Sequence, residues 1–171
     1  MTRTALILAL IFAAAPALAA SPGDSLSGAA WALDGDTIGL LGPEEGARPV
    51  TVRLWGIDAP EMDSANGAGW QARAALDAVL TPSPLSSVIG RMLVSCQVVA
   101  TDRYKRPVAI CALAASDTDL GLAVIRAGWA IEYRTFTRTP ETANLPWRKY
   151  AEAEAEARAA RRGLWAALAG K

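Results

Sequence analysis

Arg53-Leu54-Trp55-Gly56-Ile57-Asp58-Ala59-Pro60-Glu61, with Asp34-Gly35-Asp36-Thr37 shortly before it, decides the reading of this chain. Both stretches interrupt otherwise apolar, β-branched-rich sequence, and together they bring an arginine and three carboxylates that are able to converge on one site. Asp36 and Asp58, read on neighbouring strands, offer hard oxygen donors that suit Ca²⁺ or Mg²⁺. The chain has no histidine and only two cysteines, which argues against a zinc or iron centre. Glu61 follows Asp58 across a proline-stiffened turn, from where it is placed to orient or deprotonate a water. Arg53 precedes Asp58 by five positions, so strict strand alternation separates the two faces unless the turn at 56–60 breaks it. A guanidinium binds phosphate oxygens bidentately and keeps its charge. These residue types point to metal-assisted attack on a phosphate.

A phosphoryl centre that gains charge in the transition state calls for a second cation. Thr101-Asp102-Arg103-Tyr104-Lys105-Arg106, a polar turn between two apolar runs, supplies it. Taken in order, Asp-Gly-Asp-Thr, Arg-Leu-Trp-Gly-Ile-Asp-Ala-Pro-Glu and Asp-Arg-Tyr-Lys-Arg resemble the staphylococcal nuclease-like (thermonuclease) family, over residues 30–165. The resemblance implies an α+β fold, a five-stranded OB-fold β-barrel with about three α-helices, and a Ca²⁺-dependent phosphodiesterase acting on DNA and RNA. Matched to the family's motif, Asp36 and Asp58 are the metal carboxylates and the Ala59 carbonyl is a further ligand. Glu61 is the carboxylate that activates the water, and Arg53 and Arg106 are the phosphate-binding arginines. Tyr104 and Tyr133 contact the nucleotide, and single strands are the preferred substrate, cut to leave 3′-phosphates. One departure is Lys105, where the family usually has glycine. A left-handed backbone costs lysine about 1 kcal/mol, which leaves open another turn conformation there.

Singly, each motif has a plainer reading. Asp34-Gly35-Asp36 suits an ordinary turn. Arg53 suits a solvated strand position, and Asp58-Ala59-Pro60-Glu61 suits the start of a helix. Residues 102–106 suit a charged hairpin tip. Their ordered combination favours the active-site reading. Two other function classes stay open: a catalytically weak OB-type module that binds single-stranded nucleic acid, and an envelope protein that uses the barrel for protein contacts.

Residues 1–19 have a basic start, a short apolar core and an Ala-x-Ala site, the pattern of a secretory signal peptide cleaved after Ala19. Residues 20–171 then form one domain, expected in the periplasm or outside the cell as a monomer. Export also bears on Cys96 and Cys111, which flank the 102–106 turn almost symmetrically. Antiparallel strands on either side place them opposite one another, and an oxidising compartment favours a disulfide. Closing such a loop contributes roughly 3 kcal/mol in the chain-entropy model. The formal net charge is zero. Residues 20–125 carry 12 acids and 7 bases, and residues 126–171 carry 5 acids and 9 bases. The C-terminal part therefore offers a modest phosphate-attracting surface, or simply a solvated helix.

Residues 30–41 and 49–56 alternate as strands joined by the 42–46 turn. Helical spacing marks residues 69–80, and 81–87 read as a Pro/Ser loop. A hairpin over 92–100 and 107–114 carries the cysteines. A capped helix follows over 120–127, then a strand or extended segment over 129–136. Residues 147–162 form a helix supported by the Glu154 and Arg158 pair, with Gly163 as its C-cap.

Overall fold

The computed structural model describes residues 20–42, 46, 48–81, 92–139 and 142–167. The expected signal peptide, the centre of the 42–46 turn and residues 82–87 of the Pro/Ser loop lie outside these residues. Strands β1 (Ser25–Ala32), β2 (Thr37–Leu41), β3 (Val50–Leu54), β5 (Leu93–Thr101) and β6 (Pro107–Leu113) close a barrel in the order β1-β2-β3-β6-β5. Every pairing is antiparallel except β3 with β6, which is parallel and sets Arg53 beside Val108. This is the expected α+β OB-type barrel.

Residues 30–41 are not one strand. The Asp34-Gly35-Asp36 segment folds them into a hairpin, with Leu33 N and Asp34 N both donating to the Thr37 carbonyl. Asp and Gly are turn residues, and no side chain fits at Gly35: a Cβ there lies 2.6 Å from Ala72 Cβ and 2.7 Å from Ala59 Cβ. The same residues that read as site chemistry thus also turn the chain.

Alternation along the strands fills the barrel. Ile38, Val52, Val94 and Ala109 are fully buried, and the first three contribute roughly 1.5–3 kcal/mol each. Helix α1 (Ala68–Leu80) buries Ala72, Leu76 and Leu80. Helix α2 (Leu120–Arg126) buries Leu120, Val124 and Ile125. Asp119 caps α2 by accepting from Leu122 N and also receives the Tyr150 hydroxyl at 2.9 Å. Burial pushes the Asp119 carboxyl above its usual range, and burial together with the Asp119 charge pushes Tyr150 up, so the phenol stays a donor. Tyr150 belongs to α4 (Trp147–Ala159), so this bond fastens α4 to α2.

Two further expectations change. Residues 129–136 become a two-residue strand, β7 (Ile131–Glu132), followed by a one-turn helix, α3 (Arg134–Thr137). Ile131 and Glu132 pair with β4 (Ile57–Asp58), so this segment serves the site's own turn instead of the barrel. The last long helix stops at Ala159, three residues short of expectation, because Arg161 and then Gly163 take left-handed backbone. Gly163 sits against Gly128, and α5 (Leu164–Ala167) folds back so that Arg158 covers the Trp165 ring at 4.2 Å. Three longer helices and two of a single turn are therefore present among the described residues, and none is long and apolar enough to cross a membrane.

Gly56 is the joint between barrel and site. It holds φ +73°, and an added Cβ meets Thr137 Cγ2 at 2.9 Å and the Tyr150 ring at 3.1 Å. Left-handed strain and overpacking together predict that Gly56→Ala costs about 2–4 kcal/mol in urea unfolding. A loss below about 0.5 kcal/mol, the usual surface effect, contradicts that reading.

Candidate active site

Asp36 is the buried centre of the site. Thr37, the next residue, pairs with Arg53 across β2 and β3, which sets the guanidinium over the Asp36 carboxylate. Arg53 Nη1 ion-pairs with Asp36 Oδ2 and also donates to the Asp36 carbonyl at 3.3 Å. Ala59 N donates to Oδ2 at 3.1 Å, and Thr37 Oγ1 donates to Oδ1 at 2.9 Å. Burial pushes the Asp36 carboxyl above the ordinary carboxylate range, opposed by Arg53, the Ala59 N–H and Thr37.

Arg53 also reaches Asp58, with Nη2 donating to Oδ1 at 3.2 Å. The turn through Gly56 breaks strand alternation and returns Asp58 to the arginine's side. Asp36 and Asp58 thus share one guanidinium, leaving two carboxylates against one cation. Asp58 is half exposed, whereas Asp36 lies beneath it.

Glu61 is placed differently. Past Pro60 the chain makes a tight loop, with Ser64 N donating to the Glu61 carbonyl and Gly69 N donating to Ser64 Oγ. Gly69 approaches so closely that a Cβ would lie 2.1 Å from the Glu61 carbonyl oxygen. The Glu61 side chain is exposed and has no ion pair or hydrogen bond among the described residues. Convergence of three carboxylates was expected; among the described residues no group of three or more His, Cys, Asp or Glu side chains able to hold a metal ion forms.

The second arginine comes from the β5–β6 tip, and Asp102 organises it. Its Oδ1 accepts from Tyr104 N and Arg106 N, both at 2.9 Å, and its Oδ2 accepts from Arg106 Nε at 2.7 Å. Lys105 does adopt the left-handed conformation, φ +65°, so the turn keeps its shape without glycine and directs Arg106 inward. Behind the turn, Cys96 and Cys111 are cross-strand partners joined by a disulfide. Two guanidiniums lie close to the Tyr104 ring, Arg103 at 4.7 Å and Arg106 at 5.3 Å from its centroid.

Arg53, Asp58, Arg103, Tyr104, Arg106 and Tyr133 line one cleft of about 410 Å³, with Phe136 on the same wall. Tyr133 and Phe136 stack at 5.3 Å between ring centroids. Arg53, Arg103 and Arg106 share this space with Asp58 and Asp102, and Asp36 behind Arg53 brings the local charges into balance. Sequence reading missed Phe136, whose role depends on the one-turn helix, and it missed Asp102 as organiser. An aspartate opening a short polar turn was the available signal for the latter.

For Asp102, burial acts to raise the carboxyl, but hydrogen bonds from Arg106 and Tyr104 outweigh it and hold the group below its ordinary value of 3.8. A depressed acid stabilises the fold above its unfolded value and loses that contribution as pH falls through the folded one. Asp102→Ala is therefore expected to cost roughly 1.5–3 kcal/mol near neutral pH. Urea titrations should show the gap to the wild type narrowing below pH 3.8. A gap that is constant over that range contradicts the assignment.

Two comparisons with known proteins bear on the chain's family. The staphylococcal nuclease homologue family matches residues 51–167, which include Arg53, Asp58, Glu61, the 102–106 turn and the cysteine hairpin. Asp36 falls before the matched segment, and its place in the site rests on the ion pair to Arg53. The protein ParB of Escherichia coli is 32% identical over 174 aligned positions, spanning 96% of this chain and 84% of the relative. The chain belongs to the staphylococcal nuclease homologue family.

Proposed function

We propose that this protein is an exported, Ca²⁺-dependent nuclease that hydrolyses phosphodiester bonds of DNA and RNA, prefers single strands and leaves 3′-phosphates. The observation that carries the reading is the shared cleft, where Arg53 and Arg106 converge beside the Asp58 carboxylate and an exposed aromatic wall.

The donor set fits a hard divalent cation. Asp36 and Asp58 are gathered on one guanidinium with a net negative charge, and the Ala59 backbone adjoins Asp36. Asp36, Asp58 and the Ala59 carbonyl would hold Ca²⁺, which tolerates an incomplete protein shell completed by water. Bound there, the cation supplies positive charge that offsets the phosphate oxygens.

The chain's own groups do the rest. Arg53 and Arg106 donate N–H groups to the non-bridging phosphate oxygens and stabilise the charge that develops on them. Asp102 holds Arg106 in register for this, and Asp36 holds Arg53. Glu61 takes the proton from the attacking water at its carboxylate. Tyr104 and Tyr133 offer ring faces to the nucleotide. Placement in the periplasm or outside the cell, as a monomer, is supported by the leader-like residues 1–19 and by the disulfide.

One observation favours the second reading, a catalytically weak module that binds single-stranded nucleic acid: the Glu61 carboxylate stands apart from Asp36 and Asp58. Incubating the purified protein with single-stranded DNA, with Ca²⁺ or with EDTA, separates the two. Cleavage confined to the Ca²⁺ reaction is expected, and Glu61→Gln should lower turnover by about 10² or more with an unchanged circular dichroism spectrum. Binding without cleavage in either reaction selects the module.

A further inference from the structure

A second concentration of guanidinium groups begins where the aromatic wall of the cleft ends. Its root is Glu132, whose side chain is completely buried. That carboxylate accepts from Thr137 Oγ1 at 2.6 Å and from Arg138 Nε and Nη2 at 3.2 and 3.0 Å, and Arg134 Nε stands 3.6 Å away. One buried anion thereby fixes two arginines whose side chains remain 64% and 45% exposed. The Glu132 N–H is itself tied to Glu154, so the anchor belongs to the frame of the fold.

From Arg138 the cluster continues to Trp147. The Arg138 guanidinium lies 5.2 Å from the Trp147 ring centroid, and that of Arg148 lies 4.8 Å from the same ring. Arg148 is exposed and has no carboxylate partner among the described residues. Glu154 pairs with Arg158 and Glu156 with Arg126, while the exposed Glu152, four residues after Arg148 on α4, makes no ion pair among the described residues. The cluster holds three guanidiniums and the single buried carboxylate of Glu132. The pinned side chains lose little further freedom on meeting a ligand. Tyr133 and Phe136 line the cleft, and Arg134 lies between them in sequence, so the charged surface continues from the site.

We propose that Arg134, Arg138 and Arg148, braced by Glu132 and Trp147, form a second phosphate-contacting tract for nucleotides of a single strand beyond the one in the cleft. The tract makes long strands better substrates than short ones. It rests on the nuclease reading only for its kinetic consequence, since a charged groove flanked by aromatic rings tracks a nucleic-acid backbone whether or not cleavage follows.

The test uses the double variant Arg134→Gln/Arg148→Gln, which spares Arg138 because its loss would strand the Glu132 charge. Two substrates are compared in Ca²⁺: a dinucleotide and a labelled single-stranded oligonucleotide of about twelve nucleotides, within the span such proteins cover. Binding of the longer strand is also measured in EDTA by fluorescence anisotropy over a range of salt concentrations. Expected are an approximately tenfold rise in KM for the longer strand, dinucleotide kinetics within about twofold of wild type, and a log–log salt slope shallower by roughly 1.4, the value for two lost phosphate contacts. Unchanged affinity and salt slope overturn the proposal, as does an equal loss on both substrates. If the melting curve of the double variant shifts, Arg148→Gln alone is compared with wild type, with the expected slope change halved to roughly 0.7 for one lost contact. If the wild type cleaves neither substrate yet the anisotropy result holds, the nuclease reading fails and the tract stands.

Discussion

The carboxylate side of the site depends on one ion-paired group, Arg53 held between Asp36 and Asp58. Two carboxylates repel each other, and one of these is buried. The Arg53 guanidinium offsets that repulsion. Asp36 in turn bonds the Ala59 N–H, so the residues on either side of the 55–58 turn are fixed to the barrel. Truncating one partner of such a cluster leaves a buried charge unpaired, which costs more than the pair contributes.

The second cation is positioned by a different device. Arg106 depends on the tip of a hairpin, which a disulfide ties a few residues behind and which Asp102 closes from within. Two independent supports, one bolted to the barrel wall and one to the β5–β6 tip, thus bring guanidiniums to a single cleft. The third wall, Tyr133 with Phe136, is carried by β7 pairing with β4, so it moves with Asp58.

Much of this was legible in the sequence because it is local. Asp36, Arg53, Asp58 and the 102–106 turn lie in short contiguous motifs, and the cysteine spacing announced the hairpin pairing. What escaped was set by distant contacts. The 30–41 segment alternates through its own turn, so its period hid the hairpin. Residues 129–136 are strand-like by propensity, but Ile131 and Glu132 pair only with Asp58 and Ile57, and the Glu132 N–H goes to Glu154, contacts that no local pattern reveals. Lys105 shows the opposite case: a local rule pointed to altered geometry, and the Asp102 hydrogen bonds override it at a cost of about 1 kcal/mol. The exposed placement of the Glu61 side chain was also invisible in the sequence, since the fold fixes only the backbone contacts of its loop with Ser64 and Gly69.

The central claim is that Asp36 and Asp58, gathered by Arg53, are the cation's protein ligands. Calorimetric titration of Ca²⁺ into the wild type and Asp36→Asn tests it most directly. Two carboxylates and one carbonyl predict weak binding, with Kd about 10⁻⁴ to 10⁻³ M, abolished by the substitution in a variant that still folds. Submicromolar binding, or binding that Asp36→Asn leaves unchanged, contradicts the account.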